Sequence, residues 1–131
     1  MFLHEDIAYF CGLIASDGSF GEMGDRTIKF VNTEIALHER VREICETCFQ
    51  YSPKRRLNEK YFESLLRQGV RALSLQDCHS TYINNRLLCD SLRSIESRLL
   101  ELPNYMVAAW LRGMFDGDGG VRETASSPQV I

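Results

Sequence analysis

No apolar run in this chain reaches the length of a membrane span, because charge or glycine interrupts every hydrophobic stretch well before about 20 residues. A bilayer-spanning helix is therefore not expected. The start, Met1-Phe2-Leu3-His4-Glu5-Asp6, also lacks the basic region followed by an apolar one that marks a secretory leader. Excess positive charge is missing too. Lys and Arg number 15 against 18 Asp and Glu, a formal net charge of -3, whereas a nucleic-acid-binding domain is usually basic. Any such partner must be met by a local patch. The cysteines Cys11, Cys45, Cys48, Cys78 and Cys89 are odd in number and fall mostly on apolar helical faces, where a thiol behaves as a small hydrophobe. Disulfides are not expected. Cys45 and Cys48 form a C-x-x-C, and Cys78-His79 would complete four zinc ligands. Yet the pair lies inside a helical pattern, and no second C-x-x-C answers it.

What is present fits one globular domain with a real core: 131 residues, 44% hydrophobic and 25% charged. Ile7, Phe10, Leu13 and Ile14 recur at helical spacing over residues 6–16, closed by Asp17-Gly18. Two β-prone runs, 19–23 and 27–31, flank Gly24-Asp25-Arg26, a three-residue turn suited to a hairpin. Asn32 or Thr33 then caps a helix that carries Leu37, Val41, Ile44, Cys45 and Cys48 on one face and stops near Gln50, before Ser52-Pro53. Extended segments are expected over 54–62 and 69–75, followed by Thr81-Tyr82-Ile83. A third helix from Asn84 or Asn85 to about Ile95 has Leu87, Leu88, Leu92 and Ile95 as its stripe, and Leu102-Pro103 opens a fourth. Arg93 and Arg98 read as solvated partners of helix acids.

The most informative feature is a repeat. Phe10-Cys11-Gly12-Leu13-Ile14-Ala15-Ser16-Asp17-Gly18 and Leu111-Arg112-Gly113-Met114-Phe115-Asp116-Gly117-Asp118-Gly119 end alike. Aligned, Ala8, Gly12 and Ser16 fall on Ala109, Gly113 and Gly117, a strip of small residues at i, i+4, i+8 on each helix. Facing strips let two backbones touch. Asp17 and Asp118 then emerge side by side, and two bare carboxylates held together want a divalent metal. Taken singly, Asp-Gly is ordinary helix punctuation. An acid at a helix C-terminus is opposed by the macrodipole, however, so placing one there twice asks for a compensating cation.

Charge is unevenly spread. Lys54, Arg55, Arg56, Lys60, Arg67 and Arg71 face only Glu59 and Glu63 in the same segment, and strand alternation turns half of them to one face, within reach of phosphates or guanine edges. Arg26 and Lys29 extend this surface, and Tyr51, Asn58, Tyr61, Gln68 and Gln76 add polar groups. Any one of these charges alone reads as edge protection. The acids concentrate on the helices: Glu34, Glu39, Glu43, Glu46, Asp90, Glu96 and Glu101.

The two nonapeptides, with an αββαββα order between them, resemble the LAGLIDADG homing endonucleases, including those embedded in inteins. The motif's last four positions read Ala15-Ser16-Asp17-Gly18 and Asp116-Gly117-Asp118-Gly119, so the penultimate acid stands in both copies while the earlier one is Ala15 in the first. Phe10, Cys11 and Arg112 depart from the motif as helix substitutions. The resemblance implies an α+β fold. One αββαββα unit over residues 1–100 lays a four-stranded antiparallel sheet into the DNA major groove, and residues 101–131 supply the motif helix and the start of a second unit that would run on for roughly another eighty residues.

The activity implied is site-specific, metal-dependent hydrolysis of double-stranded DNA. Mg²⁺ is expected at the catalytic Asp17 and Asp118, assisted by the carbonyls of Ser16 and Gly117, with Arg26, Lys29, Lys54, Arg55, Arg56, Lys60, Arg67 and Arg71 on DNA and Ala8, Gly12, Ala109 and Gly113 packing the seam. The expected partners are DNA and, through the motif helices, a second copy; no membrane and no small-molecule substrate are expected. The expected location is cytoplasmic, or organellar for an intron-encoded member. Two other classes stay open: a nuclease-silent nucleic-acid binder such as an RNA-splicing maturase or DNA-binding regulator, and an assembly module that dimerises through its surplus helix.

Overall fold

Residues 7–14 are buried on every side of their helix, not on one stripe alone. A helix that is apolar all round belongs in an interior. The computed structural model, which describes residues 4–57, 67 and 78–118, places this helix, α1 (Glu5–Asp17), between a sheet and the last helix. His4 caps it by accepting the Asp6 N–H on its ring nitrogen, and Glu5 and Asp6 favour its positive end. After α1 come β1 (Gly18–Ser19), β2 (Thr27–Asn32), α2 (Ile35–Phe49), β3 (Lys54–Leu57), β4 (His79–Asn84), α3 (Arg86–Ser97), a 3-10 turn (Leu99–Glu101) and α4 (Asn104–Gly117). Among the described residues the fold is α+β, with four helices and a four-stranded antiparallel sheet in the order β1-β2-β4-β3.

Register decides what each sheet face carries. Ile28 pairs with Ile83 and Phe30 with Thr81, and these side chains, all buried, point to the helices. There they meet Phe10, Val41, Ile44, Leu92 and Met106 in one core, each such burial stabilising by roughly 1.5–3 kcal/mol. The alternate residues form the opposite face. One row runs Ser19, Lys29, Tyr82, Lys54 across all four strands, and the next runs Val31, Ser80, Arg56.

Three expectations need correction. The hairpin turn is not Gly24-Asp25-Arg26: β1 starts directly from α1 and is two residues long, so residues 20–26 form the loop. Two of its carbonyls, those of Phe20 and Asp25, are taken by Arg93, which donates also to the Thr27 carbonyl of β2 and to the Asp90 carboxylate. Arg93 is thus buried, at 6% exposure, instead of solvated on the surface. Its charge is matched by hydrogen bonds, without which burial would be costly. Arg98 does pair at the surface, with Glu101.

The strand that completes the sheet is His79–Asn84, pairing with both β2 and β3; the segment 69–75 lies outside the described residues. On α3, capped by the Asn85 side chain at the Leu88 N–H, the buried positions are Cys89, Leu92 and Arg93, while Leu87 is 81% exposed. The other boundaries lie close to expectation: α2 ends at Gln50 in the left-handed region, and Pro103 caps α4. All described cysteines are free. Among the described residues no helix is long and apolar enough to cross a membrane.

Candidate metal and nucleic-acid site

Helices α1 and α4 meet at their small residues. A methyl group on Gly12 would run into the Trp110 carbonyl oxygen and lie 2.8 Å from the Met114 nitrogen; one on Gly113 would run into the Tyr9 carbonyl oxygen and lie 3.0 Å from the Leu13 nitrogen. The shift in residue number that carries Gly12 to Gly113 also carries Tyr9 to Trp110 and Leu13 to Met114. The packing is reciprocal, backbone against backbone. Ala8 and Ala109, both 1% exposed, continue the strip on one side, and Gly117 against the Ser16 side chain continues it on the other. Ser16 turns its hydroxyl back to the Leu13 carbonyl at 3.0 Å, where its oxygen takes the place that a Cβ on Gly117 would need.

At the C-terminal end of this pair lies a contact that sequence reasoning missed. The Asn32 amide donates to the Asp17 carboxylate at 2.7 Å and to the Gly117 carbonyl at 3.3 Å. One nitrogen therefore holds an oxygen from each motif, and those two oxygens are no further apart than the two distances together. Asn32 was legible only as a cap for α2, and that reading needs correction: the N-cap is Glu34, without a side-chain capping bond, and the Asn32 side-chain oxygen accepts the Glu34 N–H at 2.8 Å in the turn before the helix.

Behind Asn32 stands His38, buried at 1% exposure. Its Nε2 lies 2.9 Å from the Asn32 carbonyl and its Nδ1 2.6 Å from the Thr81 hydroxyl. A carbonyl can only accept, so Nε2 carries the proton and Nδ1 accepts from Thr81. Burial holds the His38 pKa below its ordinary value, against the opposing hydrogen bond to Asn32, and favours this neutral form. The signal was a lone histidine on the apolar stripe of α2 beside Val41 and Cys45.

Asp17-Gly18 is not a turn. Gly18 is extended, with φ -126, and its α-carbon lies so close to the Lys29 carbonyl of β2 that no Cβ fits. Helix runs straight into sheet, and Asp17 is fixed at the junction. Cys78, buried just before β4, is close enough that burial and then the Asp17 charge raise its thiol above the ordinary range. Asp118 is the exposed residue closing α4, its N–H on the Met114 carbonyl. Asp116 has a different employment: Tyr9 donates to it at 2.6 Å.

The expected DNA contacts divide between the sheet faces. Lys29, Lys54 and Arg56 share the face away from the helices, with Tyr82 between the two lysines. Arg55 lies on the opposite face and binds Glu39 of α2 at 3.0 Å, because its register partner is the inward Thr81. Arg26 is exposed beside β2, and Arg67 is exposed in a helical conformation. Lys60 and Arg71, like Asn58, Tyr61, Gln68 and Gln76, lie outside the described residues. Tyr51 accepts the Asn84 N–H at 2.7 Å. Cys45, Cys48, Cys78 and His79 do not gather; the described group with metal-ligand spacing is His4, Asp6 and Cys48.

Comparison with protein-family models, curated proteins and solved structures gives no match to this chain.

Proposed function

We propose that this chain is a unit of a metal-dependent, site-specific DNA endonuclease of the LAGLIDADG type. The observation that carries the reading is the Asn32 amide bridging the Asp17 carboxylate and the Gly117 carbonyl at the end of a reciprocal helix pair. Both acceptors are hard oxygens, and the carbonyl belongs to the residue before the second acid. This donor chemistry fits Mg²⁺, which binds few protein oxygens and completes its shell with water and phosphate. Asp17 and Asp118, with the Ser16 and Gly117 carbonyls, would hold it. When bound, such an ion supplies charge neutralisation at phosphorus and a more acidic water.

The chain's own groups do the positioning. Asn32 fixes the Asp17 side chain in the absence of a cation and, tied through its backbone carbonyl to His38, keeps β2 against the helix ends. Lys29, Lys54 and Arg56 offer positive charge to a duplex lying across the outer sheet face, with Tyr82 among them. The acids Glu39 and Asp90 are neutralised on the helix side by Arg42 and Arg55 and by Arg93, which reconciles a negative chain with a basic sheet.

One observation favours an assembly role alongside this. Leu111 and Phe115 on α4, 43% and 47% exposed, occupy the places of Phe10 and Ile14 on α1, which are 0% and 1% exposed against the sheet. A second sheet, in the same chain or another, would cover them.

The test is selection of a bound duplex from a random pool, followed by incubation with Mg²⁺. Cleavage that stops with chelator and in Asp17→Asn or Asp118→Asn, with binding retained, is the expected outcome. Tight binding with no cleavage under any metal would support a silent binder instead. Equal loss of binding and cleavage in the aspartate variants would remove the catalytic assignment.

A further inference from the structure

The C-x-x-C of α2 is not one unit in three dimensions. Cys45 points into the core, whereas Cys48, three residues on, lies half-buried in the last turn of α2, towards the start of α1. There the Cys48 sulfur, a His4 ring nitrogen and an Asp6 carboxylate oxygen all lie within 4.8 Å of one another.

We propose that His4, Asp6 and Cys48 form a binding site for a thiophilic divalent cation of the Zn²⁺ class, with water in the fourth position. The donors are one sulfur, one nitrogen and one oxygen, a set that suits Zn²⁺ and does not suit Mg²⁺ or Ca²⁺, which take oxygen. Tetrahedral zinc holds its ligand atoms roughly 3.5 Å apart, so only a small contraction closes the site. His4 Nδ1 already accepts the Asp6 N–H at 3.0 Å. That nitrogen, 3.8 Å from the Asp6 carboxylate, carries the ring's lone pair and is the one for the cation, which takes the place of the capping bond while Nε2 keeps the proton. Asp6 also meets Arg40 at 3.8 Å, but Arg40 has a second carboxylate in Glu43 at 3.9 Å and keeps it when the cation takes Asp6. Burial and then the Asp6 charge raise the Cys48 thiol above its ordinary range, so cation binding releases a proton there.

This site is independent of the proposed nuclease chemistry. Most of α1, 13 residues at about 1.5 Å each, separates it from Asp17. Its consequence is mechanical: a bound cation clasps the first turn of α1 to the last turn of α2 and stabilises the folded chain by mass action.

The test titrates Zn²⁺ into the zinc-free chain calorimetrically and uses Co²⁺ as the optical probe. One equivalent should bind with Mg²⁺ present to occupy the Asp17 and Asp118 end of the seam, and the Co²⁺ form should show thiolate charge-transfer absorption in the near ultraviolet. Cys48→Ser should abolish that absorption; His4→Gln, at an exposed position, should keep it while weakening affinity at least about tenfold. Excess Mg²⁺ should leave it in place. Absence of binding, absorption that survives Cys48→Ser, affinity unchanged in His4→Gln, or displacement of Co²⁺ by Mg²⁺ would each overturn the proposal.

Discussion

Tyr9 donates a 2.6 Å hydrogen bond across the helix pair to Asp116, and this bond breaks the pair's two-fold symmetry. The counterparts of these residues under the repeat are Trp110 and Ala15, and Trp110 instead donates to Glu96 at 2.9 Å. Burial, then the bond to Asp116, raises the Tyr9 hydroxyl above its ordinary range. Asp116 thus holds the seam, while Asp17 and Asp118 stand at its end.

Asp116→Ala should accordingly destabilise the chain by about 1 to 3 kcal/mol, since it leaves a buried tyrosine hydroxyl unpartnered. Asp116→Asn, which still accepts, should cost less. Denaturant unfolding of the two variants and of Tyr9→Phe measures this; equal stability in Asp116→Ala and the parent would mean that the bond contributes nothing.

Gly12→Ala and Gly113→Ala should each part the helices, because even one methyl meets backbone that cannot rotate away. A loss of about 1 to 3 kcal/mol or more is expected from such overpacking. The check is thermal unfolding beside Ala108→Leu, an exposed position on α4 that should be nearly neutral. Neutral glycine variants would contradict the close packing.

Glu96 makes a pH prediction. Burial raises its pKa, and the Trp110 hydrogen bond offsets only part of this. With the folded pKa above the unfolded one, the folded state binds more protons between them, so stability falls as pH rises through that window and stays lower above it. Glu96→Gln should remove this slope and gain stability at neutral pH relative to acid pH. Parallel stability curves for parent and variant between pH 4 and neutrality, on the order of the unfolded carboxyl range upward, would refute it.

For DNA binding, the sheet register separates neighbours. Lys54→Ala and Arg56→Ala should weaken binding to a selected duplex and each lower the salt dependence by about one counterion. Arg55→Ala should do neither, because its guanidinium is spent on Glu39. Loss on Arg55→Ala equal to the others would mean that the duplex does not lie on the outer face.

How much of this was legible in the sequence depends on range. The apolar spacing of Ile7, Phe10, Leu13 and Ile14 located α1, and the alignment of Gly12 with Gly113 anticipated where the helices touch, because a strip of small residues leaves few other arrangements. Leu87 misled: it shares the α3 periodicity, but the narrow buried stripe of that helix passes through Cys89, Leu92 and Arg93. Arg93 looked like a surface charge, since the carbonyls that neutralise it come from a loop some seventy residues earlier. Asn32 likewise showed a local turn signal, read as a helix cap although Glu34 holds that place, and hid its long-range one. Its tie to Gly117 depends on sheet and helix pair meeting at one corner, which no single segment encodes.

The claim beneath the functional reading is that one cation is shared by the ends of α1 and α4. Mn²⁺ added to isotope-labelled chain, standing in for Mg²⁺, measures this directly through paramagnetic broadening of backbone amides. Broadening of Gly18 and Asp118 together, lost from both in Asp17→Asn, is the predicted result. Broadening that spares either helix end, or that persists unchanged in Asp17→Asn, would contradict it.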